Sequence, residues 1–182
     1  AVEKLGGIDS LVNNGGIGHD DAPPHAIDED TWDRIMDVNL KSMVMTIRHI
    51  LPVMRQQKSG AILNISSLAA IAGHHMVRYE VSKMGVNRLT TVTAGGNAKY
   101  NIRCNCIMPG LIDTPMAINS ISQTRGIPAD QLREERNARV PMGHMGSAWD
   151  IANAALFLCS DEASFITGAI LPVDGGMSVR IG

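Results

Sequence analysis

The hydrophobic pattern divides the chain into short apolar runs that alternate with longer amphipathic stretches. Four runs are short, apolar and bounded by turn residues, and they predict β-strands at 8–13, 60–66, 102–108 and 168–173. The run at 60–66 is apolar on both of its alternating faces. That pattern is typical of a strand that is covered on both sides in a parallel sheet.

Apolar positions at helical spacing predict helices between these strands. The predicted helices run from an Asp28 cap to about Gln56, from Tyr79 towards Asn101 with an apolar stripe of Val81, Met84, Val86 and Leu89, and over 148–158. Pro52 is expected to kink the first of them, and Gly95-Gly96 weaken the second and are expected to end it early. Residues 1–6 resemble the tail of a helix. Residues 111–146 are predicted to be a long irregular stretch, which in a compact domain is usually functional.

This order of strands and helices predicts an α/β fold with a doubly wound, Rossmann-like parallel sheet. Right-handed crossovers bring the carboxyl ends of the strands to one edge, where such sheets bind ligands. Three strand ends carry unusual residues: Asn14-Gly15-Gly16, Ser66-Ser67 and Pro109-Gly110. We interpret residues 1–182 as one partial domain in which 111–146 forms the substrate loop.

Composition narrows the possible partners. The 182 residues are 45% hydrophobic and 19% charged, which is typical of a globular protein with a core. A net charge of −2 without a basic block, and only two residues each of Phe, Tyr and Trp, argue against nucleic acid and an anionic membrane as partners. No apolar run reaches spanning length, and the first residues lack a signal-peptide layout. The three cysteines are read as reduced thiols of a cytoplasmic protein rather than as a metal site.

Candidate chemistry lies at Tyr79 and Lys83, which are four residues apart and therefore share a helix face. A phenol has a pKa of about 10, and a nearby ammonium lowers it towards the range useful for proton transfer. The spacing of Tyr79 and Lys83 alone favours an exposed helix turn. The strand ends that meet beside Tyr79 favour an active site instead, where Ser67 would be available to bind the reacting oxygen. Asn39 is either part of a polar helix face or a buried amide that holds a water. His74-His75 either line the substrate mouth or, as we favour, are solvated.

Six motifs in this order and spacing resemble the short-chain dehydrogenase/reductase family. They are Asn13-Asn14-Gly15-Gly16, Asp37-Val38-Asn39-Leu40, Asn64-Ile65-Ser66-Ser67, Tyr79-x-x-x-Lys83, Pro109-Gly110-Leu111-Ile112-Asp113-Thr114-Pro115 and Pro172-Val173-Asp174-Gly175-Gly176. Together they extend over essentially the whole chain. By this resemblance the chain is identified as a member of the family.

The resemblance implies an NAD(P)-dependent oxidoreductase that interconverts a secondary alcohol and a ketone. The implied catalytic residues are Asn39, Ser67, Tyr79 and Lys83. Tyr79 would exchange a proton with the substrate oxygen, Lys83 would lower the Tyr79 pKa and bind the nicotinamide ribose, and Ser67 would orient the carbonyl. Ser67 is preferred over Ser66 because Gly73, six residues later, then matches a family glycine.

The resemblance also implies cofactor contacts and an oligomer. The implied cofactor residues, for NAD or NADP, are Asn14, Gly15, Tyr79, Lys83, Pro109, Gly110, Ile112 and Thr114. Asn14 and Gly15 would approach the adenosine side, and Ile112 and Thr114 would hold the carboxamide. Asn39 would hold a water that leads from Lys83 to solvent. A homotetramer, or a dimer, is implied as well.

One departure from the family is large. Family members begin with a strand, a Gly-rich turn and a helix that holds the pyrophosphate, and no such segment precedes Asn13. The residue that selects NAD over NADP is missing with it. We therefore expect the C-terminal portion of the fold, with one strand edge open, and an isolated chain that neither binds dinucleotide tightly nor turns over.

Three function classes consequently stay open. The first is an oxidoreductase whose apolar 111–146 segment favours a hydrophobic carbonyl compound. The second is a truncated, non-catalytic fragment or oligomerisation module. The third keeps the fold but performs dehydration or epimerisation.

Overall fold

The computed structural model describes residues 2–18, 22–73 and 76–180, so that His74-His75 lie outside the described residues. The strands are β1 (Ser10–Asn13), β2 (Gly60–Ile65), β3 (Ile102–Pro109), β4 (Ile112–Asp113), β5 (Gly146–Ser147) and β6 (Ile170–Val173). The helices are α1 (Val2–Leu5), α2 (Glu29–Met36), α3 (Ser42–Gln57), α4 (Val77–Asn97), α5 (Pro115–Arg125), α6 (Ala129–Asn137) and α7 (Ala148–Cys159). The main sheet is parallel with the order β1-β2-β3-β6, and β4 pairs with β5 in parallel. This topology confirms the predicted α/β parallel sheet.

Helices cover both faces of β2 and β3. On one face, Ile62 packs with Ile47 of α3 and Ala94 of α4. On the other face, the next residue of β2, Leu63, packs with Leu158 of α7. Because successive side chains of a strand point to opposite faces, both faces of β2 have to be apolar, which explains the unbroken apolar run in the sequence.

The prediction that residues 111–146 are irregular is wrong, since this segment contains α5 and α6. The Thr114 hydroxyl caps α5 by accepting from the Ala117 amide at 3.2 Å, and Gly126 ends it with a φ of +64°. A separate apolar cluster supports the two helices and is formed by Ile118, Leu132, Val140 and Met145. The segment is therefore a small helical subdomain above the sheet.

Two predicted helices differ from the observed ones. The helix predicted from Asp28 to Gln56 is divided by a π-helical turn at Asp37–Lys41, whereas α3 continues through Pro52. The helix predicted from Tyr79 begins at Val77 and continues through Gly95-Gly96 to Asn97. A side chain added at either glycine would meet no atom within 4 Å, so these glycines are not needed for packing inside the chain.

Across 2–18, 22–73 and 76–180, no helix is long and apolar enough to cross a membrane. In the same residues, no group of three or more His, Cys, Asp or Glu side chains is placed to hold a metal ion. Cys104 and Cys106 are buried free thiols, and burial raises their pKa values to about 12 and about 11. Cys159 is half-buried.

Candidate active site

The ends of β1, β2 and β3 meet at one edge of the sheet, as predicted. Asn13 is in register with Asn64, and Ile65 is in register with Ile107. The Asn13 side-chain amide donates to the Asn64 side-chain oxygen at 2.8 Å, and the Ser66 amide donates to the Ile107 carbonyl at 2.8 Å. The loops that follow these strands therefore start side by side.

Tyr79 lies in the first turn of α4, where the Ser67 side chain interacts with its hydroxyl. The Ser67 oxygen accepts from the Ala69 amide at 3.1 Å, which caps the short turn after β2. Burial raises the Tyr79 pKa, and the interaction with Ser67 opposes that rise only in part. The structure thus brings Ser67 rather than Ser66 to the tyrosine and keeps the phenol protonated at neutral pH.

Lys83 is 3% exposed, and its ammonium donates to the Ile65 carbonyl at 3.0 Å. Its Nζ lies 5.6 Å from the centre of the Tyr79 ring. Burial lowers the Lys83 pKa to about 8. The expectation that Lys83 holds the Tyr79 pKa below its ordinary value is not met in this structure, because desolvation is the largest influence on both groups.

Asn39 is fully buried in the π-helical turn. Its side-chain oxygen accepts from the Ile17 amide at 2.7 Å, and its nitrogen donates to the Ile17 carbonyl at 2.8 Å and to the Ser82 hydroxyl at 3.1 Å. The interpretation of a buried amide is confirmed. These contacts fix the loop after β1 against α4, whereas the holding of a water by Asn39 stays a prediction.

That loop passes directly over the tyrosine and the lysine. A Cβ at Gly16 would lie 3.2 Å from the Lys83 Nζ, and a Cβ at Gly18 would lie 3.2 Å from the Tyr79 ring. Both contacts are tighter than ordinary van der Waals packing, so glycine permits the close approach. Gly18 was not among the residues predicted for the site.

The predicted nicotinamide loop starts from the same edge. A Cβ at Gly110 would lie 2.8 Å from the Asp174 Cα, which explains a glycine directly after β3. Ile112 is in register with Gly146 in the small sheet, and Thr114 begins α5. Pro109, Gly110, Ile112 and Thr114 are thus placed in order between the end of β3 and the helical subdomain.

Asn14 and Gly15 directly follow β1. Asn14 borders a groove of about 480 Å³ between β1 and α7, which Val12, Ile65 and Leu156 also line. A second groove, of about 1030 Å³, runs along residues 5–11. Tyr79 lines neither of these two grooves.

Arg78 is a site neighbour that the sequence reasoning missed. Its side chain is fully buried, and its Nη2 donates to the Asp28 carboxylate at 3.0 Å. Asp28 caps α2 by accepting from the Thr31 amide at 2.8 Å. The residue before Tyr79 therefore connects the start of α4 to the start of α2, and nothing in the local sequence pattern indicated a buried arginine there.

A family model and several known proteins match this chain over nearly its whole length. Residues 1–178 match the family model described as enoyl-(acyl carrier protein) reductase. The 3-oxoacyl-[acyl-carrier-protein] reductase of Thermotoga maritima is 38% identical over 179 residues, which are 98% of this chain and 69% of the relative. The 7alpha-hydroxysteroid dehydrogenase of Paraclostridium sordellii is 39% identical over 182 residues, covering 98% of this chain and 66% of the relative.

Solved structures show the same fold. A protein from Burkholderia xenovorans, described as a short-chain dehydrogenase/reductase, superposes with a TM-score of 0.92 at 42% identity, covering 100% of this chain and 69% of that one. ElxO with NADP bound has a TM-score of 0.89 at 28% identity, covering 98% and 71%. Xylitol dehydrogenase with NAD+ bound has a TM-score of 0.88 at 29% identity, covering 96% and 71%.

Proposed function

The chain belongs to the short-chain dehydrogenase/reductase family of oxidoreductases, and we propose that it interconverts a secondary alcohol and a ketone with Tyr79 as proton donor and acceptor. The observation that carries this proposal is the interaction of the Ser67 side chain with the Tyr79 hydroxyl at the edge where the strand ends meet. Lys83 lies beneath the same edge. An acid, a second hydroxyl and a cation are thus close together where a parallel sheet binds its ligand.

The residues present fit a nicotinamide dinucleotide, NAD or NADP. An ammonium has three hydrogens, so Lys83 can bind ribose hydroxyls while it keeps its bond to Ile65. The Thr114 hydroxyl accepts from Ala117 and can still donate its own hydrogen to the carboxamide, next to the Ile112 backbone. Asn14 and Gly15 would serve the adenosine side along the groove beside β1. When bound, the cofactor supplies or accepts the hydride.

The protein's part of the reduction is proton transfer and orientation. Tyr79 gives its hydroxyl proton to the carbonyl oxygen, and the Ser67 hydroxyl donates a hydrogen bond to the same oxygen. The Lys83 ammonium stabilises the phenolate that forms on Tyr79, and a water held at Asn39 returns the proton through Lys83. Because burial raises the Tyr79 pKa, the resting residue is the proton donor, which favours reduction at neutral pH.

The helical subdomain supports an apolar substrate. Met116, Ile121 and Met142 are 60%, 38% and 67% exposed, although large apolar side chains are normally buried. They belong to the segment that follows Thr114, so a bound substrate would cover them. We infer a hydrophobic carbonyl compound.

The outer surface supports an oligomer. Val81, Met84 and Val92 of α4 are 43%, 47% and 56% exposed, and Val44 and Met45 of α3 are each 36% exposed. Exposed apolar patches of this kind are typical of subunit interfaces. We infer a homotetramer or dimer that pairs through α3 and α4. Separately, we infer a cytoplasmic location, because the three cysteines are free thiols. Sedimentation velocity tests the assembly.

Tyr79→Phe tests the proposed reaction. Loss of the phenolic proton should lower kcat by a factor of about 10² to 10⁴ and leave the melting temperature nearly unchanged. Tyr100→Phe, which changes the other of the two tyrosines, is the matched control and should keep full activity. Turnover of hydrophobic ketones is followed by NADH or NADPH absorbance. Full activity of Tyr79→Phe would refute the proton role.

Cofactor binding separates enzyme from non-catalytic module. In line with the expectation that the chain does not bind dinucleotide tightly, quenching of NADH or NADPH fluorescence should be weak but saturable and should persist in Tyr79→Phe. Absence of quenching with both nucleotides would favour a non-catalytic module instead.

A further inference from the structure

We propose that Ser66 is a positioning residue, whose hydroxyl fixes the turn of α4 that carries Lys83 and thereby sets the arrangement of Lys83 and Tyr79. The inference rests on the proposed function, because it assigns a task to a residue that the reaction itself does not touch. It concerns the residue that the sequence motif offers as an alternative to Ser67.

Ser66 is held firmly by the sheet. It is 3% exposed, and its amide donates to the Ile107 carbonyl at 2.8 Å. Its hydroxyl donates to the main-chain carbonyl of Lys83 at 2.9 Å. That carbonyl already serves the helix, because an α-helical C=O accepts from the N–H four residues later. The Ser66 bond is therefore additional to the helix, and its effect is to locate the turn against the strand.

Three consecutive residues of the strand end hold the whole arrangement. The Ile65 carbonyl accepts from the Lys83 ammonium at 3.0 Å, the Ser66 hydroxyl donates to the Lys83 carbonyl, and the Ser67 side chain interacts with the Tyr79 hydroxyl. Without the Ser66 hydroxyl, Tyr79 keeps its partner on the strand while the Lys83 turn loses one of two anchors. The separation of the cation and the phenol is then no longer fixed.

Other ionisable groups near this pair are few among the described residues. Cys106 of β3 interacts electrostatically with Lys83, and its thiol is protonated at neutral pH because burial raises its pKa to about 11. Arg78 precedes Tyr79 and binds Asp28. The Cys106 thiol also interacts with the Ser66 side chain and backbone, but it is uncharged at neutral pH, so the charged group that a change at Ser66 affects is Lys83.

The chain offers a matched control two turns further along α4. Thr90 is fully buried, donates to the Val86 carbonyl at 2.9 Å and accepts from the Asn64 side-chain amide at 2.9 Å. Its hydroxyl thus also links β2 to a main-chain carbonyl of α4. A general loosening of the contact between helix and strand should follow equally from Thr90→Val and from Ser66→Ala.

The experiment is an NMR titration of the Lys83 ammonium, with Lys83→Met identifying its resonance. Ser66→Ala should raise the Lys83 pKa from about 8 by about half a unit, because a loosened turn lets water reach the buried ammonium. Thr90→Val should leave it unchanged. In turnover assays, Ser66→Ala should lower kcat about fivefold with KM unchanged.

A second pair of variants separates the hydroxyl from packing. Ser66→Thr and Ser66→Val have the same shape, and only the first keeps the hydroxyl. We expect the valine variant alone to show the shift in pKa. Equal titration of Ser66→Ala and the parent, or an equal shift in Thr90→Val, would overturn the inference.

The titration needs no turnover, so the two proposals fail separately. A shifted pKa in a chain that reduces no ketone would support the positioning and reject the reaction. Ketone reduction with an unshifted pKa in Ser66→Ala would support the reaction and reject the positioning.

Discussion

Replacing Lys83 by Met should stabilise the folded chain at neutral pH. Lys83 is 3% exposed, and burial lowers its pKa from 10.5 to about 8. A lysine whose folded pKa lies below its unfolded pKa binds its proton more weakly in the folded state, so its charge opposes folding at any pH below about 8. From this shift the penalty on the free energy of unfolding is about 3 kcal/mol.

The pH dependence has a definite sign. As the pH rises from about 8 towards 10.5, the folded lysine has already lost its proton while the unfolded one still holds it, and the penalty disappears. The gain from Lys83→Met should accordingly be largest near pH 6 and should fall by roughly 2 kcal/mol by pH 9.5. Cys104, Cys106 and Tyr79 also titrate differently in the two states, but they are common to both chains and largely cancel in the difference.

Urea denaturation followed by circular dichroism, at pH 6 and at pH 9.5, measures this difference. Lys41→Met is the matched control, because the Lys41 side chain is 66% exposed and its change should be small at both pH values. A gain for Lys83→Met that is equal at the two pH values, or a loss at pH 6, would show that the buried ammonium does not oppose folding.

Two further predictions follow from glycine packing and from the tyrosine. Gly110→Ala should destabilise the chain by about 1–3 kcal/mol, because its Cβ would meet the Asp174 backbone. Gly95→Ala lies in open space on α4 and should stabilise the chain by about 0.5–1 kcal/mol. Thermal melts measure both changes, and the reverse order of melting temperatures would contradict the packing argument. Because burial raises the Tyr79 pKa, ketone reduction should be nearly constant from pH 6 to pH 8 while alcohol oxidation rises through that range; pH profiles of kcat in both directions test this, and parallel profiles would contradict it.

The sheet and its functional edge could be predicted because local patterns determine them. The double-sided apolar run of β2 predicts a covered parallel strand, and the crossover rule then places the ends of three strands together. The choice of Ser67 over Ser66 rested on a single loop spacing, and the structure does bring Ser67 to Tyr79.

The helices of the 111–146 segment and the direction of the pKa shifts depend on tertiary contacts, which residue spacing in the sequence does not reveal. In α6 only Leu132 is buried, so nothing in its pattern stands out from an irregular polar loop. The spacing of Tyr79 and Lys83 predicts a shared face but not its degree of burial, and burial determines the direction of both pKa shifts. The effect of a cation on a phenol was expected to dominate, but in this structure desolvation does.

The clearest misreading concerns the face of α4 that packs on the sheet. The predicted apolar stripe included Val81 and Met84, yet both are exposed, while the buried residues are Arg78, Ser82, Lys83, Val86, Asn87, Thr90, Thr93, Ala94 and Asn97. Only two of these nine are apolar. Buried polar groups need partners, and each partner admits few geometries, so a polar inner face locates a helix more narrowly than an apolar one would. Hydrogen bonds on its inner face position α4 on the sheet, and its apolar residues Val81 and Met84 are exposed on the opposite surface. The cost in stability of burying Lys83 and the anchoring by Ser66 both follow from this arrangement.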